Sequence, residues 1–162
     1  MKQDKAVEVF NSLITINNNR IEGYETASKE TTDADLKSLF FHLAQSSLKC
    51  KRELIYEIRK MGGEPLEGEG TISNTFSKIW ADLKGAFTKN DRLSLLKSCE
   101  YDENVAVDAY YETLNSNLEF LGAEQQALLN KQYLSISAGL SKIQALRDSL
   151  VEVHSWFTLL PM

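Results

Sequence analysis

Apolar residues recur at alternating spacings of three and four along four stretches of this chain, the pattern of helices with one buried face. The clearest stretch runs from Asp33 to Pro65, where Leu36, Phe40, Leu43, Ser47, Cys50, Leu54, Ile58 and Met61 share one line. Thr32 is expected as its N-cap, with Asp33 and Asp35 in the first turn, where the helix dipole favours anions. Gly62-Gly63 and then Pro65 supply the stop. Midway the line turns small and weakly polar, at Ser47 and Cys50, which sets that level apart from plain packing.

The same rhythm predicts a first helix over about residues 2–29, with Val7, Phe10, Ile14, Asn17, Ile21 and Tyr24 inward. Asn17 interrupts the line, inside the polar run Asn17-Asn18-Asn19-Arg20. A short connection near Glu30-Thr31 makes this helix antiparallel to the second, over about 33–61. GGEPLEGEGTISNT then reads as loop, with four of the eight glycines. A short amphipathic helix follows over about 76–87, with Ile79, Trp80, Leu83 and Phe87 inward. The second helix is about 42 Å long, and the connection after it reaches roughly 60 Å. That is enough to return the chain to the far end, so that helices two and three run parallel. The third helix is predicted over 91–118, with Leu96, Cys99, Glu103, Ala106 and Tyr110 inward and Glu100 one turn before Glu103. A turn at Leu121-Gly122 leads to a fourth helix over 123–154, lined by Leu129, Gln132, Ile136, Gly139, Ile143 and Leu150. The segment 155–162 is apolar at Trp156, Phe157 and Leu160. It is expected to cover the bundle end or a partner chain, which predicts a homo-oligomer.

Composition narrows the class. The chain has 162 residues and only two prolines, so the expectation is a single all-α domain (residues 1–162) able to bury about 70% of its unfolded surface. A net charge of −5 speaks against a nucleic-acid binder, which would carry a basic face. MKQDKAVEVF lacks the apolar run of a signal peptide, and no stretch approaches the length of a membrane span. The expected location is therefore the cytoplasm, with Cys50 and Cys99 as buried reduced thiols.

Several ordered segments carry a family likeness: IEGYETA, RELIYEIRKMGGEP, SKIWADLKGAFTKND, KSCEYDENVAVDAYYETL, LNKQYLSI and IQALRDSL. Over roughly Phe10 to Leu150 the chain resembles a bacterial four-helix-bundle family of unknown function within the ferritin-like superfamily. The resemblance implies a ferritin-like bundle with a long crossover between helices two and three. It also implies a historical link to carboxylate-bridged di-iron chemistry.

That chemistry needs four carboxylates and two histidines at one level, usually with a Glu-x-x-His on each of two helices. Counting from the turns places Asn17, Ser47, Cys50, Glu103 and Ser137 or Gly139 at mid-bundle: one carboxylate and no histidine. Ser47 and Cys50 stand where a Glu-x-x-His pair would fall. The preferred expectation is a buried polar network joining Asn17, Ser47, Cys50, Glu103, Tyr110 and Gln132, with Glu103 bonded to Asn17 and Ser47 or to water. The corresponding function is non-enzymatic, structural or interactive, with no cofactor and a degenerate di-metal site. The alternative is an iron-, manganese- or zinc-binding protein or oxidase using Glu100, Glu103 and Glu53, since carboxylates hold hard cations. A small apolar ligand carried beside Gly139, Ala106 and Ser47 is a third class. His42 is expected at the surface or against Glu22, and His154 near a helix end. A histidine beside Cys50 or Cys99 would be needed for nucleophilic catalysis. GGEPLEGEG is acidic and unsuited to phosphate.

Overall fold

The structure is a computed structural model that describes residues 2–66 and 92–159, with side chains other than that of Glu30 described as far as Val151. Four long helices account for nearly all of these residues: α1 (Lys2–Glu30), α2 (Ala34–Lys60), α3 (Arg92–Ser116) and α4 (Ala123–Leu159). A single 3₁₀ turn, Leu118–Phe120, joins α3 to α4. No strand occurs among the described residues. The short helix expected over 76–87 lies outside the described residues. The helix α4 runs on to Leu159, past the expected end at His154. Nothing between Ser155 and Leu159 breaks a helix, and the next proline is Pro161.

Each end of α2 has a local cause. Its N-cap is Asp33 rather than Thr32: Asp33 Oδ1 accepts from the backbone N–H of Asp35 at 3.0 Å and of Leu36 at 3.3 Å. A carboxylate there also pairs with Arg92 at the start of α3, which a threonine hydroxyl would not do as a charge. Burial acts to raise the Asp33 carboxyl, but the backbone N–H groups and Arg92 outweigh it and hold the group below its usual range. At the other end Gly63 N–H donates to Ile58 O at 2.9 Å and Gly62 N–H to Arg59 O at 3.0 Å. These are the paired bonds of a Schellman motif, with Gly62 in the left-handed region at φ +79°.

Cross-helix contacts fix the directions. In α1 and α2, Gln3 reaches Met61 O and Tyr24 stacks on Phe40, so the pair is antiparallel. In α3 and α4, Glu100 meets Arg147 and Tyr111 meets Tyr133, again antiparallel. The Asp33–Arg92 pair brings the starts of α2 and α3 to the same end of the bundle, so these two are parallel. The helix α2 is about 40 Å long, and the chain leaves it at one end and enters α3 at the other.

The apolar core comes in two blocks. One is built around Tyr24, Phe40, Leu43, Leu96 and Ile143, the other around Phe10, Ile14, Leu54, Leu129 and Ile136. The level between them holds Asn17, Arg20, Ser47 and Glu103, all buried. Cys50 and Cys99 are buried free thiols. Burial pushes Cys50 up to about 11 and Cys99 well above the usual thiol range. Neither is therefore a ready thiolate near neutral pH. No helix among the described residues is long and apolar enough to cross a membrane.

A Cβ on Gly63 would lie 2.6 Å and 2.9 Å from the two methyl carbons of Val7. Gly63→Ala should therefore destabilise the protein by about 1–3 kcal/mol, and much less when Val7 is also changed to Ala. Urea denaturation of the single and double variants checks this; equal costs in both backgrounds would remove the close approach as the reason for glycine.

Candidate functional site: a buried ion pair at mid-bundle

The helix α1 carries Asn17, Arg20 and Tyr24 at spacings of three and four, so all three point the same way. Across from them α3 presents Glu103 and, two turns on, Tyr110. Arg20 Nε donates to Glu103 Oε1 at 2.7 Å and Arg20 Nη2 donates to Oε2 at 3.0 Å. This is a two-pronged guanidinium–carboxylate pair, and both side chains are 1% exposed or less. Tyr24 OH adds a third donor to the carboxylate, at 2.8 Å from Oε1.

From the other side of Arg20 a hydrogen-bond chain runs across the bundle. Arg20 Nη1 donates to Asn17 Oδ1 at 2.9 Å, and Asn17 Nδ2 donates to Tyr110 OH at 2.9 Å. Tyr110 OH donates to Gln132 Oε1 at 2.6 Å. Gln132 Nε2 then donates to Cys50 O at 3.2 Å and to Glu53 Oε1 at 3.3 Å. All four helices contribute to this chain, while the buried Ser137 Oγ on α4 finds no hydrogen-bond partner among the described residues.

Burial would lower the Arg20 guanidinium, but the charge of Glu103 and its hydrogen bonds outweigh that and raise it. Tyr24 is raised well above the ordinary phenol range, by burial first and by Glu103 next. Tyr110 is raised as well, again chiefly by burial. Asp102, beside Glu103 in sequence and 8% exposed, is pushed up to about 7 by burial and then by Glu103, with Arg20 acting the other way. One guanidinium thus stands near two buried acids and is bonded to one of them.

The expected site residues fall into three groups. Asn17, Glu103, Tyr110 and Gln132 are joined as described. Cys50 takes part through its backbone carbonyl, while the Ser47 hydroxyl turns back to Leu43 O at 2.7 Å. Asn17 reaches Glu103 only through Arg20. Glu53 sits at the outer end of the chain. Glu100 lies elsewhere, paired with Arg147 and 3.4 Å from Gln144 Nε2. His42 is exposed, its ring steeply inclined to that of Phe41, whereas Cys99 is buried. The side chain of His154 lies outside the described ones. Arg20, Tyr24 and Asp102 were not among the expected site residues. Arg20 carried a usable signal: it sits three residues after Asn17 and four before Tyr24, as compatible with the buried line as Ile21, which is half-buried.

A di-metal centre does not fit this donor set. Both oxygens of Glu103 accept from Arg20, and the cation already beside it would repel a metal ion. Among the described residues no group of three or more His, Cys, Asp and Glu side chains is placed to hold a metal ion.

The chain belongs to the family described as "Domain of unknown function (DUF2383)", whose model matches residues 5–116. No curated protein matches the chain.

Two outcomes follow from the pair and its neighbour. Arg20→Met leaves a buried carboxylate without its cation and should cost about 3–5 kcal/mol, and Arg20→Met with Glu103→Leu should recover much of that. Urea midpoints decide it; a double variant no better than the single one would show that the charges are not the issue. For Asp102 the folded value is above the unfolded one, so the folded state binds the proton more tightly. Its presence is harmless below about pH 4 and costs stability as pH rises towards about 7. Asp102→Asn should gain little at acid pH and up to about 4 kcal/mol over the parent at about pH 8. A difference between the two proteins that does not change with pH would rule this out.

Proposed function

We propose that this protein is a ferritin-like four-helix bundle whose metal level is held by an internal cation, and that it acts through its surface rather than by chemistry at its centre. The observation that carries this reading is the Arg20–Glu103 pair. A fixed guanidinium supplies the positive charge that a bound ion would otherwise supply between the helices. The helix directions support the ferritin-like assignment, because a parallel second and third helix joined by a long connection is that arrangement. The alternative, a metal-binding protein or oxidase using Glu100, Glu103 and Glu53, is less well supported. Those three carboxylates are engaged separately, by Arg147, by Arg20 and by Gln132 with Lys131.

The surface reading is self-association along α4. Its outward line of Ala127, Asn130, Leu134, Ala138, Ser141 and Ala145 is exposed and uncharged, with Leu134 66% exposed. In the sequence the same spacing leads on to Trp156, within the apolar segment that also holds Phe157 and Leu160. Small side chains let another helix approach closely, and Leu134 offers an apolar anchor.

One preparation tests both halves. Protein made with iron, manganese and zinc supplied, and purified without chelator, should carry far less than one metal ion per chain by elemental analysis. Stoichiometric metal lost on Glu103→Ala would overturn the metal-free reading. On size-exclusion with light scattering, the parent should run as an oligomer and Leu134→Glu, or removal of residues 155–162, as a monomer. A monomeric parent would end the self-association reading and leave the first untouched.

A further inference from the structure

Glu53 stands between two settings. Its Oε1 accepts from Gln132 Nε2, at the inner face of α2. Its Oε2 lies 3.8 Å from the exposed Lys131 ammonium, and the side chain is 27% exposed. With Arg52, Tyr56, Glu57 and Leu128 it lines a cleft of about 310 Å³. One carboxylate therefore ends the buried network and also faces solvent.

The network behind it has one polarity. Asn17 Nδ2 also donates to Leu13 O at 2.9 Å, and Gln132 Nε2 donates to Cys50 O at 3.2 Å. A backbone carbonyl only accepts, so neither amide can turn over without setting oxygen against oxygen. With both amides fixed, the Tyr110 hydroxyl has one role: it accepts from Asn17 and donates to Gln132. Every donor from Arg20 outward points towards Glu53. Aligned hydrogen bonds polarise one another. Negative charge on Glu53 makes Gln132 Oε1, then Tyr110 O, then Asn17 Oδ1, each a better acceptor, and the last of these holds Arg20.

We propose that this chain is a charge relay: a positive group that competes for Glu53 from the cleft side loosens the grip on Arg20 at the bundle centre. Lys131 is the competitor built into the protein. Gln132 tolerates the loss because Cys50 O stays available as acceptor, so the chain relaxes without breaking. The relay does not depend on whether the protein binds metal or self-associates.

The readout is hydrogen exchange of the Arg20 side-chain N–H groups by NMR, taken relative to the slowest backbone amides so that global unfolding cancels. Glu53→Gln keeps the shape and an acceptor but removes the charge, and should speed exchange by about 1.5-fold. Lys131→Met removes the positive charge facing Glu53 Oε2, strengthens Glu53 Oε1 as the acceptor of Gln132, and should slow it. In a Tyr110→Phe background, Glu53→Gln should add nothing. Unchanged exchange in Glu53→Gln, or a full effect that persists without the Tyr110 hydroxyl, would overturn the relay. Where Tyr110→Phe does not fold, Lys131→Met decides alone: slower exchange supports the relay, and unchanged or faster exchange refutes it.

Discussion

A guanidinium and a carboxylate taken out of water are each expensive, and the cost is offset only when they meet in good geometry with their remaining groups bonded. Arg20 and Glu103 meet that condition in the middle of this bundle. Most of the surrounding architecture can be read as what it takes to hold them there. Tyr24 covers the carboxylate, Asn17 takes the third side of the guanidinium, and the two apolar blocks above and below keep water away.

The pair also sets how the helices sit lengthwise. Leu, Ile and Phe lines on helices tolerate sliding by a turn, because one apolar side chain replaces another. A one-turn slip of α1 against α3 would move Arg20 about 5.4 Å along the axis and leave both charges buried alone. The Asn17–Tyr110–Gln132 chain extends the same constraint to α4, and its bond to Cys50 O brings in α2. The polar level therefore disfavours slipped alignments of the four rods, alongside the short α1–α2 connection and the Asp33–Arg92 pair.

Much of this was legible in the residues. Spacing placed all four described helices and put Asn17, Glu103, Tyr110 and Gln132 on buried lines. What it missed has physical reasons. A spacing of three and one of four fit a helix face equally, so Ile21 hid Arg20, and a lone arginine in a polar run reads as solvated. Helix caps slip by a residue because Thr32 and Asp33 both qualify; Asp33 takes the cap through Oδ1 and also meets Arg92, which is distant in sequence, through Oδ2. Glu103 was seen as an acid on a core line, but its partner required knowing which turn of α1 lies opposite. Asp102 lies beside that line, and its burial depends on packing rather than spacing.

Tyr24 and Tyr110 are two of the six tyrosines of the chain, and both are buried with hydroxyls donating to fixed acceptors. Tyr56, Tyr101 and Tyr111 are by contrast well exposed. The tyrosines are thus sorted by depth, and the two buried ones hydrogen-bond into the charged level itself. Their share of the near-ultraviolet circular dichroism, added to that of the other tyrosines and the two tryptophans, therefore carries an optical trace of whether the centre is assembled.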